Sequence, residues 1–314
     1  RIVLAEQYAA DAVAKLRTAG DVVEITGNDV SALRAALTDA DALLVRTYTA
    51  VTDDLLAAAP KLKVIGRGGV GLDNIDVNAA HTRGITVVYT PAASTRSVAE
   101  HTWGLILAVM RNLVGGDQAV RGGTFLETRS RLRFRELGDL ALGIVGMGRI
   151  GSNVGRIAAL GFGMRVAYTD IAPVGPFDFA ADAVSFEQLL AESDVLSLHV
   201  PLTPATRDMI RSETLAHVRP GAILINTARG SVVNAAALAD ALRSGRLAGA
   251  AIDVFDSEPP AGNHPLLNAP NLLLSPHVAG RSAVAVARMN DVVDDVVRVL
   301  AGEPAAYPAP HTGW

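Results

Sequence analysis

Short apolar runs alternate with amphipathic helical patterns along most of the chain. In its first part, runs rich in β-branched residues predict strands, and the segments between them carry apolar residues at helical spacing. Such alternation is typical of a parallel sheet that helices cover on both faces. The predicted strands are 2–5, 22–25, 43–46, 64–66 and 86–89, and the predicted helices are 9–19, 30–37, 53–59 and 77–83.

The pattern changes between residues 97 and 135 and then resumes. A helical pattern at 97–111 has an apolar face that could cover either a core or a partner subunit, whereas the arginine-rich run 121–135 predicts a solvated, irregular connection. A long helix is predicted at 284–300, and the Pro-rich segment 303–314 is expected to be poorly ordered. Further strands, which predict a second, doubly wound parallel sheet, are expected at 140–145, 165–169, 195–199, 222–226, 248–254 and 272–275.

Composition narrows the class of protein. A chain of 314 residues, half of them hydrophobic, is long enough for two well-filled domains. The net charge of -4 favours neither a nucleic-acid nor a membrane partner, and the absence of cysteine excludes disulfides, thiolate catalysis and cysteine-ligated zinc. We expect no metal in the site. With no visible signal peptide, and a longest apolar helix that contains Glu100 and His101, we expect a soluble protein of the cytoplasm.

A glycine-rich turn lies between two predicted strands, in the order strand, turn, helix, strand. Its sequence is Gly146-Met147-Gly148-Arg149-Ile150-Gly151. Gly146 would permit the tight turn, Gly148 would let the backbone approach a pyrophosphate, and Gly151 would allow close packing of helix on strand. The helix N-terminus, where Arg149 and Ile150 lie, offers unpaired N–H groups to phosphates. The stretch therefore predicts a dinucleotide site.

An acidic residue follows the second strand of this unit. Asp170 comes nineteen residues after Gly151, where a carboxylate accepts hydrogen bonds from an adenosine ribose. The same carboxylate would repel a 2′-phosphate. The sequence therefore favours NAD over NADP.

Three polar side chains follow three later strands, at the edge where open α/β sheets bind ligands. They are Arg229, Glu258 and His277. Singly, each has a plain alternative as a surface ion pair, a loop carboxylate or a core histidine. Together they suit reduction of a ketone. Histidine can supply the proton, a carboxylate can orient the ring, and arginine can polarise the carbonyl and hold a substrate carboxylate.

The ordered motifs resemble those of the D-isomer-specific 2-hydroxyacid dehydrogenases through nearly the whole chain. Besides the glycine turn, these motifs are Gly68-Gly69-Val70-Gly71-Leu72-Asp73-Asn74-Ile75-Asp76, His199-Val200-Pro201-Leu202-Thr203-Pro204, Asn226-Thr227-Ala228-Arg229-Gly230, Asp253-Val254-Phe255 with Glu258-Pro259, and Ser275-Pro276-His277.

The resemblance implies roles for residues along the chain. Arg229 would bind the substrate carboxylate and carbonyl, His277 would be the acid/base, and Glu258 would orient it. The backbone N–H groups of Gly68, Gly69, Val70 and Gly71 would hold the substrate carboxylate. Asp253 would contact the nicotinamide carboxamide, and His199 and Pro201 would border the adenine. We also expect cofactor contacts at Thr206, Thr227, Ala228 and Gly280.

The same resemblance implies two α/β domains. A flavodoxin-like substrate domain would comprise residues 1–96, completed by 286–314, and a Rossmann dinucleotide-binding domain would comprise 97–285. The dinucleotide domain would carry the contact of a homodimer.

Within the family, the sequence 66–74 and the preceding Val45-Arg46-Thr47 resemble the D-3-phosphoglycerate dehydrogenase branch. Unlike many members of that branch, the protein is expected to lack the regulatory C-terminal domain, and Tyr48 stands where some have a second arginine. Arg46 and Arg67 would then bind a second anionic group of a small substrate, most simply a phosphate, as in 3-phosphoglycerate and phosphohydroxypyruvate. Alternatively, both arginines pair with acids such as Asp73 or Asp76 and only support the loop.

Two other functions remain open from the sequence. One is a glyoxylate or hydroxypyruvate reductase on the same scaffold. The other, from a different class, is a non-catalytic NAD-sensing protein, since transcriptional corepressors share this fold and even the three polar residues. Turnover of NADH with 2-keto acids separates an enzyme from a sensor.

Overall fold

A computed structural model of the protein describes residues 1–25 and 29–310. The chain divides into two compact units. Unit 1 comprises residues 1–94 and 281–314, and unit 2 comprises residues 95–280. The expected boundaries, at 96/97 and 285/286, lie close to these. Within the described residues, no helix is both long and apolar enough to cross a membrane.

The sheet of unit 1 is entirely parallel, with strand order β2-β1-β3-β4-β5. This is the flavodoxin-like order, which confirms the predicted fold of the first domain. Its strands are β1 Ile2–Leu4, β2 Val22–Glu24, β3 Ala42–Val45, β4 Val64–Arg67 and β5 Thr86–Tyr89.

Helices cover both faces of this sheet. Alternate strand residues face opposite sides, so that Val3 and Leu43 belong to one apolar cluster while Ile2 and Leu44 belong to the other. The helices are α1 Ala10–Arg17, α2 Val30–Leu37, α3 Asp53–Ala57 and α4 Val77–Thr82, with α12 Ala283–Asn290 and α13 Val292–Leu300 near the end of the chain.

The C-terminal region of unit 1 corrects two expectations. The single helix predicted at 284–300 is two helices, because Asp291 ends α12 and begins α13. The predicted disorder is wrong for residues 303–310. There, Pro308 bridges Val88 of edge strand β5 in antiparallel fashion, and the carboxylate of Asp295 accepts the N–H groups of Ala306 (2.6 Å) and Tyr307 (2.7 Å). These hydrogen bonds order a segment whose composition alone favours disorder. The remainder of that prediction, 311–314, lies outside the described residues.

The sheet of unit 2 is also parallel, with strand order β12-β11-β10-β9-β6-β7-β8. The order reverses between β6 and β9, as in a Rossmann fold, which confirms the doubly wound architecture. Its strands are β6 Ala141–Val145, β7 Arg165–Thr169, β8 Asp182–Ala183, β9 Val195–Leu198, β10 Ala222–Asn226, β11 Leu247–Ile252 and β12 Leu272–Leu274.

The apolar face of helix α5 covers a core. Trp103 stacks on Phe162 with ring centroids 4.6 Å apart and donates a 3.1 Å hydrogen bond to the carbonyl of Val154, so α5 packs on α8. The helices of unit 2 are α5 Thr95–Met110, α6 Leu113–Arg121, α7 Phe125–Arg131, α8 Arg149–Phe162, α9 Phe186–Glu192, α10 Ser212–Leu215 and α11 Ala235–Arg243.

The segment predicted as an irregular connection is partly helical. Residues 121–135 begin at the last residue of α6 and include all of α7. Ion pairs one turn apart, Arg121 with Asp117 and Arg131 with Glu127, stabilise both helices on their exposed faces. The sequence-based prediction was therefore wrong about the conformation and right about the exposure of the arginines.

Side-chain caps fix where several helices begin. The side chains of Thr52, Asp76, Ser185, Asn234 and Ser282 each accept a hydrogen bond from the backbone N–H three residues later. Each cap satisfies a donor that the first helical turn leaves without a partner.

Candidate functional site

The glycine turn of unit 2 needs glycine for steric reasons. Gly146 has φ +90°, and a Cβ there would lie 2.6 Å from the carbonyl oxygen of His199. A Cβ at Gly151 would lie 2.1 Å from the carbonyl oxygen of Gly146. Gly148, by contrast, has no other heavy atom within 4 Å of its Cβ position. The turn is therefore closed towards the protein and open at Gly148, where a phosphate would approach.

Helix α8 begins immediately at this opening. Gly148 is its N-cap residue and Arg149 its first helical residue, while Ile150 packs against the apolar core of unit 2. The helix N-terminus therefore presents backbone N–H groups and the positive end of its dipole beside Gly148.

Asp170 lies just past the end of β7 and is tied to the same turn. Its Oδ2 accepts the N–H of Met147 at 2.7 Å, and its Oδ1 accepts the N–H of Ala172 at 3.1 Å. The carboxylate is thus fixed beside the glycine turn. An open cradle, a helix N-terminus and an anchored acid together fit a dinucleotide whose ribose is not phosphorylated.

The loop after β9 borders this turn. His199 is bonded through Nε2 to the Ser197 hydroxyl at 2.8 Å, and burial lowers the pKa of His199 to about 3, so its ring is neutral. The Thr206 hydroxyl donates to the Pro201 carbonyl at 2.6 Å and accepts the N–H of Thr203 at 2.8 Å. This loop therefore has a fixed shape.

A buried asparagine sets the path of the chain that leads to Arg229. Asn226, fully buried at the end of β10, accepts the N–H of Ala228 at 3.0 Å and donates to the carbonyl of Arg229 at 2.9 Å. The next residue, Thr227, is buried and contacts the hydroxyl of Thr102 at 3.0 Å. These hydrogen bonds hold the backbone on both sides of Ala228 and so fix the position of the Arg229 backbone.

Gly230 brings the Arg229 loop against the loop that follows β11. A Cβ at Gly230 would lie 1.9 Å from the carbonyl carbon of Phe255 and 2.2 Å from the N of Asp256. The two backbones therefore touch where any side chain would separate them. This close approach places Arg229 near enough for its charge to contribute to lowering the pKa of Glu258.

His277 and Glu258 form a hydrogen-bonded pair at the core of the site. His277 Nδ1 lies 2.7 Å from Glu258 Oε2, and Glu258 Oε1 accepts the N–H of Phe255 at 3.1 Å. Burial raises the pKa of the Glu258 carboxyl, but the hydrogen bonds from His277 and Phe255 outweigh it and hold the pKa below its ordinary value. Glu258 is therefore ionised at neutral pH. The three residues predicted as catalytic follow three adjacent strands, β10, β11 and β12.

Asp253, just after β11, is bonded to the loop that carries His277. Its carboxylate accepts the N–H groups of Val278 (3.0 Å) and Ala279 (2.9 Å) and the hydroxyl of Ser275 (2.6 Å). Gly280, also predicted to contact cofactor, is the last residue of unit 2.

In unit 1, the predicted substrate loop follows β4. Gly68 donates its N–H to the carbonyl of Val45 at 3.0 Å, and Gly69 donates to the carbonyl of Arg67 at 2.9 Å. No described residue accepts a hydrogen bond from the N–H of Val70 or Gly71. The N–H groups of Val70 and Gly71 are therefore better placed than those of Gly68 and Gly69 to bind a substrate carboxylate.

The two predicted substrate arginines lie in different settings. Arg67 is buried, with its guanidinium folded over Gly69 and Nη1 donating to Gly68 O at 3.2 Å. Arg46 stacks on the ring of Tyr8, 4.6 Å from its centroid, and donates to the carbonyl of Gln7 (3.0 Å) and to the side chain of Asn290. These partners of Arg46 are not the acids that the sequence allowed. Of those acids, Asp76 instead caps α4.

A carboxylate lies at the centre of the loop that Arg46 begins. Glu6 accepts four successive backbone N–H groups, those of Arg46 (2.8 Å), Thr47 (3.1 Å), Tyr48 (3.2 Å) and Thr49 (3.1 Å). Successive amides that converge in this way form an anion-binding concavity. Here it is filled by a side chain of the protein itself.

Sequence reasoning missed Glu6 and Asn226. Glu6 follows the first strand, and Asn226 opens the motif that contains Arg229, so both positions were visible as polar residues at strand ends. Their partners are backbone groups, which no residue pattern marks.

The comparisons with known proteins agree with this geometry. Residues 103–279 match the family model described as D-isomer specific 2-hydroxyacid dehydrogenase, NAD binding domain. Over 306 residues the chain is 42% identical to D-3-phosphoglycerate dehydrogenase of Mycobacterium leprae, covering 96% of this chain and 57% of that protein. It is 43% identical over 262 residues to glyoxylate reductase of Aeropyrum pernix, covering 80% of this chain and 77% of that protein.

A solved structure supports the same relationship. D-lactate dehydrogenase from Aquifex aeolicus, complexed with NAD and lactic acid, superposes with a TM-score of 0.87 at 32% identity, covering 96% of each chain. The chain spans a little over half the length of the phosphoglycerate dehydrogenase that it matches. The matches cover the glycine turn and all three predicted catalytic residues. The chain belongs to the D-isomer-specific 2-hydroxyacid dehydrogenase family, and its unit 2 contains that family's NAD-binding domain.

Proposed function

We propose that the chain catalyses the NAD-dependent interconversion of a small D-2-hydroxy acid and its 2-keto acid. The observation that carries this proposal is the 2.7 Å contact between His277 Nδ1 and Glu258 Oε2, at the carboxyl edge of the sheet in an NAD-binding domain. Arg229 follows β10, which neighbours β11, the strand that precedes Glu258. When bound, NAD would supply the donor or acceptor of the hydride, and these side chains would act on the carbonyl oxygen and its proton.

The hydrogen bond to Glu258 assigns a different role to each ring nitrogen of His277. Because Glu258 is ionised, its carboxylate accepts a hydrogen bond, so Nδ1 carries a proton. The proton exchanged with substrate is then held at Nε2. Glu258 also stabilises the protonated ring, which is the form that donates to a ketone under reduction. Arg229 would bind the substrate carboxylate and polarise the carbonyl through its planar fork.

The test is steady-state oxidation of NADH with a panel of 2-keto acids. We expect His277→Gln to lower kcat by about 10²- to 10⁴-fold while NADH still binds, as measured by fluorescence titration. His217→Gln, at an exposed histidine of the same unit, is the matched control and should be unchanged. Tight NADH binding with no turnover of any keto acid would overturn the proposal and favour the NAD-sensing alternative.

For the substrate, we propose 3-phosphoglycerate and phosphohydroxypyruvate. The similarity to the M. leprae enzyme supports this choice, as do Arg46 and Arg67, which give unit 1 two cationic side chains at the ends of neighbouring strands. The substrate carboxylate would bind the backbone of the turn Gly68 to Gly71, through the N–H groups of Val70 and Gly71. Hydrogen bonds to charged groups contribute about 1.5–3 kcal/mol each. Two such contacts would favour phosphohydroxypyruvate over hydroxypyruvate by roughly 10²- to 10⁴-fold in kcat/KM.

A glyoxylate or hydroxypyruvate reductase is the second candidate, and one observation favours it. Glu6 fills the anion-binding concavity at residues 46–49, while Arg46 already binds Gln7 and Asn290. A phosphate would have to compete with these groups.

Comparing the two keto acids decides between the candidates. If a phosphate binds here, Arg46→Ala and Arg67→Ala should lose efficiency on phosphohydroxypyruvate more than on hydroxypyruvate. The control is Arg17→Ala, at an exposed arginine of α1 in the same unit. Equal efficiency of the wild type on both acids would establish the reductase candidate.

We also propose that the chain forms a homodimer through α6 and α7 of unit 2. These helices and the residues after them expose a cluster of large apolar side chains beside arginines and acids, so the surface can complement a second copy of itself. The exposed apolar side chains are Leu113, Val114, Val120, Phe125, Leu126 and Phe134.

Sedimentation velocity tests this interface. Leu126→Asp should convert a dimer to a monomer, because it buries a charge in the apolar contact. Leu160→Asp, at a similarly exposed leucine of α8, should leave the dimer intact. A wild-type monomer, or a dimer that survives Leu126→Asp, would refute the proposed interface.

A further inference from the structure

The catalytic histidine has a backbone conformation that needs support. His277 has φ +52°, in the left-handed region that residues with a Cβ rarely adopt. Such a conformation persists only where neighbouring contacts enforce it. If those contacts were lost, the backbone would relax and the imidazole would leave Glu258.

Asp253 makes the contacts that enforce this conformation. Its backbone carbonyl accepts the N–H of His277 at 2.7 Å. Its carboxylate accepts the N–H groups of the next two residues, Val278 and Ala279. Three successive amides therefore converge on one fully buried residue. The position of the imidazole depends on how firmly Asp253 itself is held.

Two side chains complete the shell around Asp253. The Ser275 hydroxyl lies 2.6 Å from Asp253 Oδ1, and His101 Nε2, from α5, lies 3.2 Å from the Ser275 oxygen and 3.5 Å from the same Oδ1. Since the carboxylate is an acceptor, Ser275 uses its one proton to donate to Asp253. The Ser275 oxygen must then accept from His101, which fixes a proton on Nε2 of His101.

We propose that His101 and Ser275 are positioning residues that act through Asp253 on His277. The chain of donors runs from His101 Nε2–H to the Ser275 hydroxyl and on to Asp253 Oδ1, so each hydrogen bond polarises the next. Together they orient the carboxylate towards the amides of Val278 and Ala279, which keeps the His277 ring on Glu258. This inference rests on the proposed function, because it concerns the residue that would transfer the proton.

A purely steric role for His101 predicts a different outcome. If the ring only fills space on α5, an apolar residue of similar size would serve as well as a polar one. If the Nε2–H donor matters, a glutamine, whose amide can donate from the same place, should keep His277 in position, and a leucine should not. His101→Gln and His101→Leu therefore form a matched pair, as do Ser275→Thr and Ser275→Ala.

The first measurement is hydrogen exchange of the Val278 and Ala279 amides, which needs no turnover. In His101→Leu and Ser275→Ala, we expect exchange to accelerate by about 10- to 100-fold, the range for one hydrogen bond to a charged group. Exchange should stay near the wild-type rate in His101→Gln and Ser275→Thr. His217→Leu is the control, and equal melting temperatures across the set would exclude global destabilisation.

The second measurement is kinetic. Misplacing the acid/base by about 1 Å can cost about 10²-fold, so His101→Leu and Ser275→Ala should lose kcat on that order with little change in the NADH dissociation constant. Equal losses in His101→Gln and His101→Leu, or amide exchange that does not change in any variant, would overturn the inference. A wild type that turns over no keto acid would refute the proposed function alone, because the exchange experiment would still test the network.

Discussion

Gly230→Ala tests whether the contact between the Arg229 loop and the Glu258 loop is needed for catalysis. The new methyl group would lie 1.9 Å from the carbonyl carbon of Phe255, whereas ordinary contacts to a Cβ begin at 3.4 Å. The loops must therefore separate by more than 1 Å. Neither backbone can yield easily, since Asn226 anchors one and Glu258 binds the Phe255 N–H in the other.

Separation on that scale would cost about 10²-fold or more in kcat/KM, or about 2.7 kcal/mol of transition-state stabilisation. The assay is keto-acid reduction at saturating NADH, with NADH affinity and melting temperature measured in parallel. Gly245→Ala is the control, because that glycine has φ +72° and an open Cβ position, so alanine there introduces backbone strain without a clash. The reasoning fails if Gly230→Ala retains kcat/KM within about threefold of wild type.

Three further predictions concern the cofactor, the proton and the stability of the fold. Asp170→Ser should reduce the preference for NAD over NADP by about 10- to 100-fold in kcat/KM, because it removes the carboxylate that would repel a 2′-phosphate; an unchanged ratio would contradict the role given to Asp170. As the pH rises, ketone reduction should decline at a lower pH in Glu258→Gln than in wild type, because protonated His277 loses its ionised partner. The profile of kcat/KM against pH measures this. The pKa of Glu258 is lower in the folded than in the unfolded protein. The free energy of unfolding of wild type should therefore exceed that of Glu258→Gln above pH 4.5, and this difference should be lost as the pH falls further. Urea unfolding at several pH values measures it.

The sequence was informative wherever a function depends on the end of a strand. The inner strands of the parallel sheets are apolar and buried on both faces, so a polar residue just beyond one stands out, as Arg229 does after β10. Asp170 stands out because it follows the glycine turn, the helix and the second strand in the order of a dinucleotide motif. The glycine turn was readable for a related reason, because a Cβ at Gly146 or at Gly151 would clash with the backbone. The predicted dinucleotide fold and the family are therefore confirmed.

The misses share a different physical cause. Strand β8 has two residues, too few for any periodicity to show. Residues 303–310 are ordered by strand β5, which is distant in the chain, and by Asp295, which shortly precedes them. A Pro-rich composition gives no sign of such partners. Helices α6 and α7 bury none of their residues, and with two glycines and five arginines nearby the local signal favoured a loop.

The structure also shows why a carboxylate at a strand end is weak evidence of catalysis by itself. Glu6 follows β1, Asp253 follows β11, and both hold loops by accepting several backbone N–H groups. Asp295 does the same from a helix. Because they mainly accept backbone N–H groups, these carboxylates fix the geometry of loops. Glu258 differs because one of its oxygens binds an imidazole, and a proton gained or lost by that ring changes the energy of the pair. Among these four carboxylates, the partner rather than the position therefore separates the three loop anchors from the one in the proposed catalytic pair.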